Sequence, residues 1–328
     1  MNLKLKQLLV LLASGVALVA GMQTAYAQGA FPNKPVRIII GFGPGSGTDI
    51  LSRLVAEELR IATGQPFLVD NRPGAGSAIA AVAVAKAPPD GYTLFLTSNS
   101  SHSVNPHIVK NLPYNAITDF TPIAGLATFP FTLSVNGDIP VRTAQEFVTW
   151  ARAQPAGKLN YAYGTPAVLI IAESLNRTLK LGATGIPYKS SPDAQRDVIG
   201  GQAQFLIADL ASARAHLQSG RLRALAATTG KRTALAPDLP TIEEALGLRD
   251  FDLSAWTGMF GPASVPKDVV DKLSGTVMQV MAKQELRDKI TSAGAEPTPT
   301  DAVAFTALVK RQLDMWGRKV AEAGVKPE

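Results

Sequence analysis

The feature that most constrains this chain is a strand–glycine turn–helix unit that occurs twice in succession and is followed by a third strand. VRIIIGF, residues 36–42, is β-branched and almost continuously apolar, the pattern of a strand covered on both faces. It runs through the glycine-rich stretch GFGPGSGTD, residues 41–49, into TDILSRLVAEELRIATG. There Leu51, Leu54, Val55 and Leu59 fall on one helical face, Thr48 is placed to cap, Asp49 suits the positive end and Gly64 can close the helix. PFLVDN then reads as a strand, RPGAGS as a second glycine turn and AIAAVAVAKA as a second helix; PPDGYTLFLTSNS is a turn and a third strand ending in polar residues. Such alternation predicts a parallel sheet with right-handed crossovers.

The middle of the chain repeats the theme. TAQEFVTWARAQ is a helix with a capping box from Thr143 and Glu146. KLNYAYG, ATGIPYKS, AQFLIADL and LRALAATT read as strands, and AVLIIAESLNRTL, AQRDVIGG and ARAHLQSG as the helices between them. The last third is an extended run, FDLSAWTGMFGPA, followed by helical segments; in the final one Phe305, Leu308, Val309, Leu313, Trp316 and Val320 lie near one side. The expected fold is α/β with two lobes, a mainly parallel sheet in each, and a ligand cleft between them. Lobe 1 is expected to comprise residues 28–130 and 254–328, and lobe 2 residues 131–253. Two extended crossings, near residues 121–133 and 253–262, would join them. Clefts at domain boundaries and at strand C-termini are the usual ligand sites.

The N-terminus predicts the compartment. Lys4 and Lys6 precede an apolar stretch at residues 8–21, and Ala25 and Ala27 offer small residues for cleavage before Gln28. This is the pattern of a secretory signal peptide, residues 1–27. Its removal takes two lysines, so the formal charge of +6 becomes +6 − 2 = +4. The chain has no cysteine, which excludes disulfides, thiolate metal sites and cysteine nucleophiles and fits a bacterial periplasm. Apolar content of 46% and charged content of 18% describe a globular protein. With aromatics at 6% and no Lys/Arg block, no nucleic-acid partner is expected.

The glycine loop admits more than one anion. As a dinucleotide fingerprint, Gly41 and Gly43 match the first two glycines, Ser46 stands where the third belongs, and Asp70 could serve the ribose. The export signal weighs against it, and Pro44 removes one N–H donor. A P-loop is excluded because no Lys precedes Thr48. As a solute site the loop offers backbone N–H groups, the hydroxyls of Ser46 and Thr48 and a helix N-terminus to a carboxylate. As plain structure it is a tight turn whose glycines serve packing. Ser98, Asn99 and Ser100 end the third strand on the same side of the sheet. Tyr163, Gly164 and Thr165 form the matching turn of the second lobe, with Lys189, Ser190 and Asp209 after later strands. Catalysis finds little support: His102, His107 and His216 are scattered, no G-x-S-x-G occurs, and no metal site, cofactor or catalytic residue is expected. An exported hydrolase stays open only because triad residues need not be close in sequence.

Several stretches carry a specific resemblance. NRPGAG, PDGYTL and LPY…DF, together with IPYKSSPDAQRDVIGGQAQFLIADL, LRALAATTGKRTALAPDLPTIEEALG and WTGMFGPASVPKDVVDKL, resemble the Bug-type periplasmic receptors of tripartite tricarboxylate transporters across nearly the whole mature chain. The resemblance implies a type II, Venus-flytrap binding protein, not an enzyme, that acts as a monomer and delivers a small carboxylated solute to integral-membrane permease subunits. It implies that the first glycine loop (Phe42, Gly43, Gly45, Ser46, Gly47, Thr48, Asp49) and the loop after GYTL (Ser98, Asn99, Ser100) clamp one carboxylate. The second-lobe turns, Tyr163, Gly164, Thr165 and Pro166 with the YKS stretch (Tyr188, Lys189 and Ser190), would close on the variable end of the solute. This sequence departs from the family twice. Its first loop is GFGPGSG where PFPPGG is common, and its second-lobe turn AYGTPAVLI lacks a Ser cluster and a His.

Overall fold

The computed structural model describes residues 31–327. Both sheets lie within one compact unit that begins at Lys34. The expected signal segment lies outside the described residues.

The first strand, β1 (Val36–Ile40), leads into α1 (Gly47–Thr63), β2 (Phe67–Asn71), α2 (Ala78–Ala85) and β3 (Thr93–Ser98). A π-helical turn (Ser100–Val104) and a short α3 (Asn105–Ile108) follow, and then β4 (Phe120–Phe129) runs almost without interruption into β5 (Phe131–Asn136). Next come α4 (Ala144–Arg152), β6 (Asn160–Tyr163), α5 (Pro166–Thr178), β7 (Thr184–Pro187), α6 (Ser191–Ile199), β8 (Phe205–Asp209), α7 (Leu210–Gln218), β9 (Leu222–Ala227) and α8 (Ile242–Leu246). The last elements are β10 (Ala255–Pro262), α9 (Lys267–Met281), α10 (Gln284–Ser292), β11 (Glu296–Thr300) and α11 (Ala302–Ala323).

The strands form two sheets, ordered β11-β4-β10-β3-β1-β2 and β7-β6-β8-β5-β9. Strand β1 is parallel to β2 and β3, while β10 is antiparallel to both β3 and β4, and β11 is antiparallel to β4. In the second sheet β6 is parallel to β7 and β8, and β5 is antiparallel to β8 and β9. The expectation of mainly parallel sheets is therefore corrected: both are mixed. Parallel pairs come from the strand–helix–strand units. Most antiparallel pairs involve the strands that arrive from the other sheet, β5 and β10, which run against their new neighbours; the remaining one is the edge strand β11 on β4.

The crossings are laced together. The first passes through Pro130 between β4 and β5. Thr228 donates its N–H to Phe131 O at 2.9 Å, and Leu253 on the return crossing donates its N–H to Thr228 O at 2.8 Å. Thr228 Oγ1 also donates to Leu253 O at 2.5 Å.

The core of the first sheet gathers Ile39, Phe95, Phe120, Trp256, Phe260 and Phe305 over the small residues of α2. His102 sits inside it, stacked on Phe260 with ring centroids 4.1 Å apart. Burial holds its imidazole pKa down to about 3. The second core packs Ala162, Leu206 and Ala208 against Ala194, Val198 and Ala213. On α11, Phe305, Val309, Trp316 and Val320 are buried as their spacing predicts, while Leu308 and Leu313 are only half-buried.

Two local departures have clear causes. The helical stretch after residue 267 is two helices, α9 and α10, separated at Ala282–Lys283. EPTPT, which sequence reading passes over, is the edge strand β11; pairing on one side only leaves its prolines without a ladder bond to break.

Candidate functional site

The glycine loop is braced from beneath. Helix α1 begins at Gly47, and its cap is Ser46, whose Oγ accepts the Asp49 N–H at 3.2 Å, in place of the expected Thr48. The loop tightens earlier than its composition suggests, because Gly45 takes a left-handed φ of 80°. Both carboxylate oxygens of Asp49 are engaged within the protein. One oxygen accepts the Gly45 N–H at 2.9 Å; the other accepts Arg53 Nε at 3.0 Å and Asn71 Nδ2 at 2.9 Å. Asn71 Nδ2 reaches Phe42 O as well, at 3.0 Å. Burial pushes the Asp49 carboxyl up, but the Arg53, Gly45 and Asn71 donors outweigh it and hold the pKa below the ordinary value.

Turns from the two sheets meet without room for an added methyl. A Cβ on Gly43 would lie 2.7 Å from Ser190 Cβ, one on Gly47 2.7 Å from Asp209 Oδ1, and one on Gly76 2.8 Å from Pro166 Cγ. The Ala167 N–H donates to Ser100 Oγ at 3.4 Å, a hydrogen bond between the two sets of turns.

Between these contacts lies a recess of about 30 Å³. Its walls carry Phe42, Ser46, Gly47, Thr48, Ser98 and Ser100 from one side and Thr165, Ser191 and Asp209 from the other. The serine hydroxyls have a common state. Ser46 Oγ accepts from Asp49, Ser98 Oγ from the Ser100 N–H, and Ser100 Oγ from Ala167. Each thereby has an acceptor site occupied and an O–H left to donate, which is what an anion requires of a neutral wall. Asp209 caps α7, accepting the Ser212 N–H at 2.8 Å and Ser212 Oγ at 2.6 Å. Burial raises its pKa, and the Ser212 bonds only partly offset that.

A larger cavity of about 520 Å³ is lined by Phe42 and Thr165 as well. Its remaining lining includes Tyr163, Gly164, Pro166, Leu169, Tyr188 and Lys189 on the second-sheet side, and residues 74–77, Asn105, Ile108 and Val109 on the first. The 74–77 turn is left-handed throughout, with φ of 123° at Gly74, 45° at Ala75, 58° at Gly76 and 74° at Ser77. For Ala75 and Ser77 this costs about 1–2 kcal/mol each. The turn is held by Ser77 Oγ donating to Gly41 O at 3.0 Å and Asn105 Nδ2 donating to Gly76 O at 2.9 Å.

The expected site residues thus divide. Phe42, Ser46, Gly47, Thr48, Ser98, Ser100, Thr165 and Asp209 line the recess, and Phe42, Tyr163, Gly164, Thr165 and Lys189 line the larger cavity. Gly43, Gly45, Asp49, Asn99 and Ser190 line neither. Asn99 ties to the return crossing through Ser254 O at 3.2 Å, and Ser190 caps α6. Sequence reading missed the 74–77 turn, Ile108, Val109 and Leu169 and reached Tyr188 only through the YKS stretch of the resemblance; the RPGAGS motif was a visible signal for the turn alone. Among the described residues no histidine lines either cavity: His107 Nε2 pairs with Leu313 O at 3.0 Å, and His216 Nδ1 with Arg221 at 2.9 Å. Among the same residues no cluster of His, Cys, Asp or Glu is arranged to hold a metal ion, and no helix is long and apolar enough to cross a membrane.

Comparison with known proteins gives concordant matches. Residues 51–325 match the family described as the tripartite tricarboxylate transporter family receptor. A UPF0065 protein of Bordetella bronchiseptica is 34% identical over 322 residues, covering 97% of this chain and 93% of its own. The solved structure of R. palustris Rpa4515 with adipate superposes with a TM-score of 0.88 at 31% identity, covering 91% of this chain and all (100%) of that one. MatC of Rhodopseudomonas palustris with bound malate gives 0.82 at 30% identity, covering 88% of this chain and 100% of that one.

Proposed function

We propose, since this chain belongs to the tripartite tricarboxylate transporter receptor family, that it captures a small carboxylated organic solute between two lobes and delivers it to integral-membrane permease subunits. Receptors of this family are periplasmic solute-binding proteins, and the match to two-lobed binding proteins extends over nearly the whole chain. The finer parts of the reading are that residues 1–27 are a signal peptide cleaved after Ala27, that residues 28–130 with 254–328 and residues 131–253 are the moving lobes, and that the receptor works as a monomer without catalysing a reaction.

The observation that carries the reading is the recess. Hydroxyls of Ser46, Ser98 and Ser100, each with an acceptor site already taken by a backbone N–H, present donors beside the N-terminus of α1. A carboxylate there gains charge-assisted hydrogen bonds and the positive end of the helix, the latter worth up to about 2 kcal/mol when partly buried. The adipate and malate in the relatives' structures are both carboxylates, which supports the same class of solute here. Ligand contacts made only when the turns meet favour the closed arrangement.

Calorimetry of the protein lacking residues 1–27 against mono-, di- and aromatic carboxylates tests the reading. Binding of at least one carboxylate, recovered chemically unchanged, is expected. Binding of NAD or a phosphorylated compound with no response to any carboxylate would overturn it, and turnover of the bound solute would overturn the non-enzymatic part.

A further inference from the structure

The polar recess occupies one corner of the site; the space beside it has a different chemistry. We infer that the solute is a carboxylic acid with an apolar, ring-sized body, carrying at most one anionic group beyond the carboxylate in the recess. This rests on the receptor reading above and narrows its substrate class.

Several polar side chains lining the 520 Å³ cavity are already engaged within the protein. Ser77 Oγ donates to Gly41 O, and Asn105 Nδ2 donates to Gly76 O and to Tyr114 Oη, while the buried Asn105 Oδ1 has no partner among the described residues and, being an acceptor only, offers nothing to a second carboxylate. Thr165 Oγ1 caps α5 by accepting the Val168 N–H, so its O–H stays available at the edge that the cavity shares with the recess, where it adds to the carboxylate end and not to the body of the solute. Tyr188 Oη donates to Asp197 at 2.7 Å, so the hydroxyl is held and the ring is left as lining. The rest of the side-chain lining includes the rings of Phe42, Tyr163 and Tyr188 and the aliphatic Ile108, Val109 and Leu169.

Charge points the same way. Among the described residues Lys189 is the one Lys or Arg in the lining, it is exposed, and no Asp, Glu or His joins it. A tricarboxylate, or a short acid bearing several hydroxyls, would leave anionic or hydroxyl groups against rings and aliphatic carbon, and desolvation without a partner is costly. One ammonium at the rim can answer one further anionic group. A volume of about 520 Å³ also falls in the range of pockets that enclose ring-bearing ligands, with space to spare around a four-carbon acid.

The experiment is calorimetry with charge-matched pairs: benzoate and phenylacetate against butyrate and lactate, and isophthalate against malate, with citrate as the trianion. The ring acids are expected to bind at least about 10-fold tighter than their partners, equivalent to about 1.4 kcal/mol. Malate or citrate binding as tightly as the ring acids would overturn the inference and leave the receptor reading standing. No binding of any acid would overturn both. The half-buried Leu169 and Tyr188 give the structural control. Leu169→Ala and Tyr188→Ala are expected to weaken ring acids about 10-fold while changing aliphatic acids less than about 3-fold, and Tyr188→Phe is expected to keep ring-acid binding within about 3-fold. Equal losses for both classes of acid would overturn the assignment of these walls to the apolar body.

Discussion

Gly43 and Ser190 approach each other so closely that a methyl group on Gly43 would lie 2.7 Å from Ser190 Cβ. Contacts that short are not tolerated, so a side chain at Gly43 acts as a wedge between turns that must meet around a solute. Gly43→Ala is expected to weaken carboxylate binding by about 10-fold or more (roughly 1–3 kcal/mol of strain) with little change in the Tm of the ligand-free protein. Adding Ser190→Gly should restore affinity, while the weaker α6 cap lowers Tm by only about 1 °C or less. Calorimetry and thermal melting of the single and double variants check both; full affinity in Gly43→Ala would show that these turns need not touch in the bound state.

Thr48 and Ser98 line the recess, and their removal isolates the hydroxyl contribution. Thr48→Ala and Ser98→Ala are each expected to reduce carboxylate affinity about 10-fold or more, since hydrogen bonds to a charged group are worth about 1.5–3 kcal/mol. Titration of each variant with an identified solute reads this directly. Unchanged affinity in the double variant would take both side chains out of the clamp.

Asp209 is an acid lining the recess proposed to hold the carboxylate. Burial raises its pKa, so the proton is favoured in the folded state and stability falls as pH rises from the ordinary value of 3.8 through the folded one. Asp209→Asn keeps an N-cap residue for α7 and removes the charge. It is expected to raise carboxylate affinity at neutral pH by about 3- to 10-fold and to raise Tm there. Weaker binding would mean that Asp209 contacts a donor on the solute.

His102 gives the opposite slope. Its folded pKa is depressed to about 3 from 6.5, so between those values the unfolded chain binds a proton that the native chain refuses. Stability is fully present above pH 6.5 and declines as pH falls toward 3, by up to about 1.4 kcal/mol per unit. His102→Gln should flatten that part of the Tm-against-pH curve, at the cost of stability at neutral pH from disturbing the stack on Phe260. An imidazole seen by NMR to titrate near 6.5 would contradict the buried placement.

Asp49 adds a second acid-sensitive brace. Its pKa lies below 3.8, so its stabilisation is present above that value and is lost as pH falls through the folded pKa. Asp49→Ala leaves the Gly45 N–H and Asn71 without their acceptor and is expected to cost about 1–3 kcal/mol of stability, with weaker solute binding as the loop loosens. Chemical denaturation at pH 7 measures the first, calorimetry the second.

Much of the first sheet was legible because VRIIIGF and YTLFLTS are apolar runs whose burial depends on near neighbours in sequence. The recess hydroxyls were legible for a related reason: polar residues placed just after strands gather at one end of a sheet. The walls of the larger cavity were not. Leu169 joins the wall only when turns distant in sequence meet, and nothing in AVLII announces it, while Tyr188 was reached only through the resemblance of the YKS stretch. RPGAGS showed that unusual backbone was permitted but not that Ala75 and Ser77 would share the left-handed run, because tertiary hydrogen bonds from Ser77 and Asn105 hold it. The strand β11 was hidden by its prolines, and the Asp49 brace by its place in a loop that also looked like an anion cradle.

Thr228 is bonded to both crossings at once, to Phe131 on one side and Leu253 on the other. A single covalent tether would let the two sheets swivel about several axes, and an open receptor would wander through orientations in which the recess and the ring-lined walls face apart. Three laced segments resist torsion and leave bending as the soft coordinate. On the receptor reading proposed above, less orientational entropy would be surrendered when the turns come together, so a modest set of contacts to a small acid would suffice to hold them shut.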